Sequence, residues 1–117
     1  MALTEAFSGT VSVGTTEYSF PAAGNYSSGS PQTDDGVYQV FLDVSDMIAG
    51  DQLQIRIYEK CRSGDTQRIV YEVFLTGAQT QPIWVSPSLL LMHGWDVTGD
   101  TIAGTSITVN WSIRKVA

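Results

Sequence analysis

"QLQIRIYEKCRSGDTQRIVYEVFLT", residues 52–76, alternates twice around a polar break. In its first half Leu53, Ile55 and Ile57 interleave with Gln54, Arg56 and Tyr58, the period of a strand with one buried and one wetter face. In its second half Ile69, Tyr71, Val73 and Leu75 share one face and Glu72 lies on the other. The intervening "CRSGDTQ" is turn chemistry, so the stretch predicts a β-hairpin.

The same period recurs on both sides. "GVYQVFLDV" (36–44) sets Tyr38, Val40, Leu42 and Val44 against Gln39 and Asp43. "SITVNWSIR" (106–114) sets Ile107, Val109, Trp111 and Ile113 against Thr108, Asn110, Ser112 and Arg114, so Trp111 is expected in the core. "GTVSVGTTEYSF" (9–20) reads as two short strands around Gly14, and "PIWVSPSLLLMHGW" (82–95) as one or two more, interrupted by Pro87. "DVSDMIAGD" (43–51) is the one helical hint, a single turn near 45–49 capped by Ser45 or Asp46 and ended at Gly50. The polar stretch 21–36 reads as a long loop, of the kind that is mobile or engaged with a partner. These elements predict one all-β domain over 1–117, a β-sandwich of seven or eight short antiparallel strands, jelly-roll or Ig-like.

Composition limits the partners. At 117 residues the chain can bury roughly two-thirds of its unfolded surface, enough for one core without staples. Charged residues are only 15%, against about 25% in an average domain, so Ser, Thr, Gly and Gln carry the polar surface. A net charge of −6, with six scattered Lys and Arg, argues against nucleic acid as a partner. No apolar run approaches the ~20 residues of a membrane span, and "MALTEAFSG" lacks the basic and apolar regions of a secretory leader. The single cysteine, Cys61, excludes an internal disulfide and fits synthesis in a reducing cytoplasm.

Several residues could carry chemistry, and each has a plainer reading. His93 with Ser86 or Ser88 and Asp96 has the residue types of a nucleophilic triad, but no nucleophile-elbow pattern frames them and His93 reads as a turn residue before Gly94. Asp34, Asp35, Asp96 and Asp100 could offer oxygens to a hard cation, yet Asp before Gly is ordinary turn chemistry. No catalytic residue, metal ligand or cofactor is therefore assigned. Cys61, between Lys60 and Arg62, reads as an inert thiol. Glu59 continues the inward phase of Ile57, so either the strand has ended there or a cation pairs with it; Arg68 supplies that cation if the hairpin register sets the two opposite, and such a pair would pin the register.

Trp84 is out of phase with Ile83 and Val85, so it presents a ring if those two are core. Trp84 and Trp95 are candidate partner-binding residues, each read first as a core or interface ring and second as a sugar-stacking platform. Arg114 and Lys115 are basic residues near the end of an acidic chain. They suit either docking on an acidic neighbour or the solvated edge of a last strand, the second being preferred.

The runs "DDGVYQVFLDVSDMIAGDQLQIRIYEK", "YEVFLTGAQ" and above all "GWDVTGDTIAGTSITVNWSIRKVA" resemble a family of small all-β proteins encoded among the structural genes of tailed bacteriophages. The resemblance runs from about Thr10 to the C-terminus and carries no catalytic signature. It implies a virion component, a head decoration or cement protein that binds the major capsid protein lattice, with a homo-oligomer, trimer favoured, at local threefold positions. A tail-associated protein and a carbohydrate-binding sandwich built on an exposed tryptophan are the alternatives.

Overall fold

The computed structural model describes residues 2–116. They form ten strands: β1 (Leu3–Val13), β2 (Tyr18–Ser19), β3 (Gly24–Asn25), β4 (Gly36–Asp43), β5 (Gln52–Glu59), β6 (Arg68–Thr76), β7 (Ile83–Val85), β8 (Leu89–Leu91), β9 (Asp96–Ala103) and β10 (Ile107–Val116). One sheet, A, runs β1-β10-β4 and continues to β7 and β8, both of which pair with β4. The other, B, runs β3-β2-β9-β5-β6. All pairings are antiparallel.

The topology follows from nesting. β7 and β8 cover opposite ends of β4 and act as one broken edge strand, while β3 is a two-residue appendage on β2. The remaining eight positions pair as nested hairpins: β5 with β6, β4 with β7 and β8, β2 with β9, β1 with β10. Alternate pairs go to alternate sheets, joined by β10 against β4 in one and β9 against β5 in the other. That is a jelly roll rather than an Ig-like order.

Burial follows the expected phases. Tyr38, Val40, Leu42 and Val44 are buried from β4 and the residue after it, Leu53, Ile55 and Ile57 from β5, and Ile107, Val109, Trp111 and Ile113 from β10. β6 keeps its phase for Tyr71, Val73 and Leu75 but loses it at Ile69, which is exposed. A bulge explains the difference: Ile57 faces Tyr71 but Tyr58 faces Ile69, so Val70 has no opposite number.

Other expectations are corrected. Two strands do flank Gly14, but the first is an eleven-residue element that starts at Leu3 and runs its full length against β10, and the second is only Tyr18–Ser19. Residues 44–51 hold no helical turn. Two tight turns stand there instead, closed by Met47 N–H to the Val44 carbonyl and Asp51 N–H to the Ile48 carbonyl. Residues 21–36 are pinned at several points. Tyr26 stacks on Tyr58 with ring centroids 4.6 Å apart, and Gln32 exchanges two backbone hydrogen bonds with Trp95.

Where Pro87 breaks the edge strand, Ser86 repairs the ladder. Val40 N–H donates to Ser86 Oγ at 2.9 Å, and Ser86 Oγ–H donates to the Pro87 carbonyl. Two glycines are dictated by space. A Cβ at Gly9 would meet the Trp111 indole at 3.2 Å. Gly104 has φ +86°, and a Cβ there would lie 2.8 Å from the Asp51 Cα and overlap its carboxylate. Asp51 is itself buried and accepts from the N–H groups of Ile48 and Thr105, tying two turns together.

Gly104→Ala should therefore destabilise the fold by about 2–4 kcal/mol, since it combines a left-handed backbone with displacement of a buried carboxylate. Urea unfolding of the two proteins measures it, and a difference below about 1 kcal/mol would contradict this account of the turn.

Candidate functional site

Polar side chains converge most densely on the outer face of sheet B. β5 turns Gln54, Arg56 and Tyr58 outward, β9 turns Asp96, Thr98 and Asp100 the same way, and Glu17 reaches over them from the segment before β2. Glu17 Oε2 accepts from Tyr58 Oη and Thr98 Oγ1, both at 2.6 Å. Arg56 donates through Nε to Glu72 Oε2 at 2.7 Å and lies 3.7 Å from Glu17 Oε1. The hydrogen bond to Glu72 holds Arg56 firmly protonated. Burial, then the Glu17 carboxylate, pushes the Tyr58 hydroxyl far above its ordinary range.

Asp96 lies beneath this network, 1% exposed. Its Oδ1 accepts from Ser19 Oγ at 2.6 Å and from Val97 N–H at 2.8 Å. Burial nevertheless dominates, and its carboxyl is pushed up to about 6. Asp100 is raised by burial as well, and its Oδ1 is buried with no hydrogen-bond partner. Chemically the cluster clamps the β2 segment onto β9 and β5. Every other acid in it is neutralised or bonded.

The triad residues are not assembled. Ser86 is spent on the β4 ladder, Asp96 on Ser19 and Val97, and the structure uses His93 through its backbone N–H, which donates to Glu59 Oε1 at 3.1 Å. Ser88 lies in the break between β7 and β8, at the edge of sheet A, and forms no side-chain hydrogen bond among the described residues. The register, shifted by the bulge, places Glu59 opposite Arg68. The ion pair is absent among the described residues, because Glu59 caps the amides of Met92 and His93 instead. Cys61 is exposed, at the tip of the β5–β6 hairpin.

The acids of 34–35 and 96–100 do not converge either. Asp34 accepts from Tyr38 Oη and from Lys115 Nζ, and the Lys115 hydrogen bond holds its carboxyl below the usual range. Among the described residues no group of three or more His, Cys, Asp and Glu is placed to share a metal ion.

The four candidate partner-binding residues divide. Trp95 is fully buried between the sheets, against Tyr38 at 4.5 Å and Phe7 at 6.0 Å, with Nε1–H donating to the Asp34 carbonyl. It is a core residue and offers no platform. Trp84 inverts the expected phase. Ile83 and Val85 are the exposed residues of β7, and Trp84 turns inward, half-buried and stacked at 6.4 Å on Tyr71 of the other sheet. A strand of three residues gives too little pattern to fix its phase.

Arg114 and Lys115 are not at an edge, because β10 is flanked by β1 and β4. Lys115 is paired with Asp34. Arg114 is exposed, its guanidinium 3.7 Å over the Phe41 ring and its Nε donating to Ser112 Oγ at 3.2 Å. The outward phase of Arg56 and Glu72 is legible in the sequence, but nothing local brings Glu17 to them, so the cluster of the three is a product of the tertiary fold.

Asp96 makes a pH prediction. The folded chain keeps this proton between about pH 4 and 6, where the unfolded chain has lost it, so the contribution to stability declines as pH rises through that window and is level above it. Asp96→Asn retains an acceptor for Ser19 and should flatten that slope, gaining on the order of 2 kcal/mol over wild type at pH 7. Chemical denaturation across pH 4–8 tests it, and parallel curves for the two proteins would refute the assignment. Glu59→Ala should cost about 1 kcal/mol with unchanged secondary structure, through two amides left uncapped. Circular dichroism and thermal melting check this.

A scan against protein-family models, a search of curated proteins and a search of solved structures return no match to this chain.

Proposed function

We propose that this chain is a structural component of a tailed-bacteriophage virion, a head decoration protein that binds the major capsid protein lattice and stabilises the assembled shell. The observation that carries the reading is how the reactive side chains are used. Ser86, Asp96, Glu59 and Asp51 are all committed to holding backbone in place, while Leu3, Ile48, Leu90 and Met92 stand exposed. Such a surface favours adhesion over turnover.

The physics of a repeating shell suits this scaffold. Many equivalent copies relax the affinity needed from each, and symmetric placement lets several weak contacts act together. A surface poor in charge also loses little hydration on docking. The sequence resemblance supplies the virion context, and jelly rolls serve capsids and lectins alike, so the fold alone does not choose. A carbohydrate-binding role would rest on Trp84 alone, half-buried against Tyr71.

Purified protein added to heads assembled without it should co-sediment with them and raise the temperature at which they release DNA. Particle images showing it on the tail and bare heads would move the assignment to a tail component. A glycan array on which binding vanishes with Trp84→Ala would move it to a sugar-binding module.

A further inference from the structure

Residues 15–31 carry β2 and β3 and form a strap on sheet B, tied at both ends. The Gly14 carbonyl accepts from Thr101 N–H, and Gln32 exchanges two backbone hydrogen bonds with Trp95. Between these ties the strap's backbone meets the rest of the sandwich, among the described residues, only through the two-residue pairing of β2 with β9 and through Phe20 N–H to the Val97 carbonyl at 3.0 Å. Its turn holds Ala23 at φ 55°, a left-handed conformation that costs any residue with a Cβ. Phe20 is its apolar anchor, fully buried with its ring 5.3 Å from that of Trp111.

The polar contacts that hold the strap down are acidic. Asp96 lies beneath it, 1% exposed, and accepts from Ser19 Oγ at 2.6 Å. Glu17 faces Asp96 from the strap itself, and Tyr26 from the residue after β3. Tyr58 stands opposite Asp96 on β5, with Arg56 two residues along the same face and Asp100 further along β9. Arg56, the cation of this group, is engaged by Glu72 at 2.7 Å and by Glu17 at 3.7 Å. Among the described residues no cation lies within ion-pairing distance of Asp96. A carboxyl sealed from water, beside a second acid and without a counter-ion, is favoured in its neutral form.

We infer that the strap is a proton-locked closure: neutral Asp96 holds it on sheet B, and ionisation of Asp96 favours its release, because lifting Ser19 and Glu17 lets water reach the carboxylate. Closed, the strap pushes the Asp96 carboxyl up to about 6, chiefly by burial; open, the carboxyl returns to its ordinary value of 3.8. Opening therefore becomes easier as pH rises between those values, by up to about tenfold per pH unit and about 100-fold in all, and levels off above them. Global unfolding hydrates Asp96 as well. The strap reaches the same end by a smaller opening, with the ties at Gly14 and Gln32 kept. The closure works in the same way whatever the chain binds.

Native-state hydrogen exchange between pH 4 and 7, with each rate divided by the intrinsic rate at that pH, tests it. The amide of Phe20, which donates to Val97 across the closure, should show an opening constant at least about tenfold above those of the β10 amides at every pH. That constant should rise about 100-fold from pH 4 to 7. In Asp96→Asn it should stay near the wild-type value at pH 4 throughout, with matching circular dichroism showing the same fold. A Phe20 amide that opens only together with those of β10, a wild-type opening constant that ignores pH, or a rise that persists in Asp96→Asn overturns the inference.

Discussion

Two sheets can share one dry interior only if every strand holds its apolar residues in a single phase. The rest of this structure depends on that constraint. Leu53, Ile55 and Ile57 meet it from β5, Tyr38, Val40 and Leu42 from β4, and Ile107, Val109 and Ile113 from β10. A slip of one residue would turn each set to water, so burial fixes register as well as composition. Where a strand departs from phase the structure absorbs it locally, by the bulge at Ile57 and Tyr58 or by the break at Ser86 and Pro87.

With the interior so occupied, the two outer faces acquire different characters. The face of sheet B is satisfied from within: Glu17, Arg56, Glu72, Tyr58 and Thr98 bond one another, and Asp96 is sealed beneath them. Those groups hold a long-range closure and leave little unmet. The face of sheet A carries Phe41, Val37 and Val116 around Arg114, which lies over the Phe41 ring and is linked to its cross-strand neighbour Glu5 through the Ser112 hydroxyl. Apolar rows on the solvent side of an antiparallel sheet do nothing for the monomer's core.

The aromatic residues show how the closure is made. Trp95 joins Tyr38 and Phe7 in the interior and also takes the carbonyl of Asp34, so one side chain fixes the end of the 21–36 segment to both sheets. Tyr26 does the same from outside, stacking on Tyr58 and donating to Gln67 at 2.5 Å. A stretch rich in Ser, Gly and Pro is ordered because a few rings and amides in it find distant partners.

The sequence by itself determined the fold class, the long strands, the β5–β6 hairpin and the core side of Trp111, because a strand's burial is written in its own two-residue period. It left the partner of Glu59 open, because the bulge that sets Glu59 opposite Arg68 is not written in the period. Only the tertiary structure decided that Trp95 is core, that Trp84 faces inward, that Arg114 lies mid-sheet and that Glu59 caps the amides of Met92 and His93. Those outcomes depend on which strands become neighbours, and the pairing of β1 with β10 or β2 with β9 joins residues from about eighty to more than a hundred positions apart. Local periodicity records which way a side chain points, and holds no information on what the fold will bring to meet it.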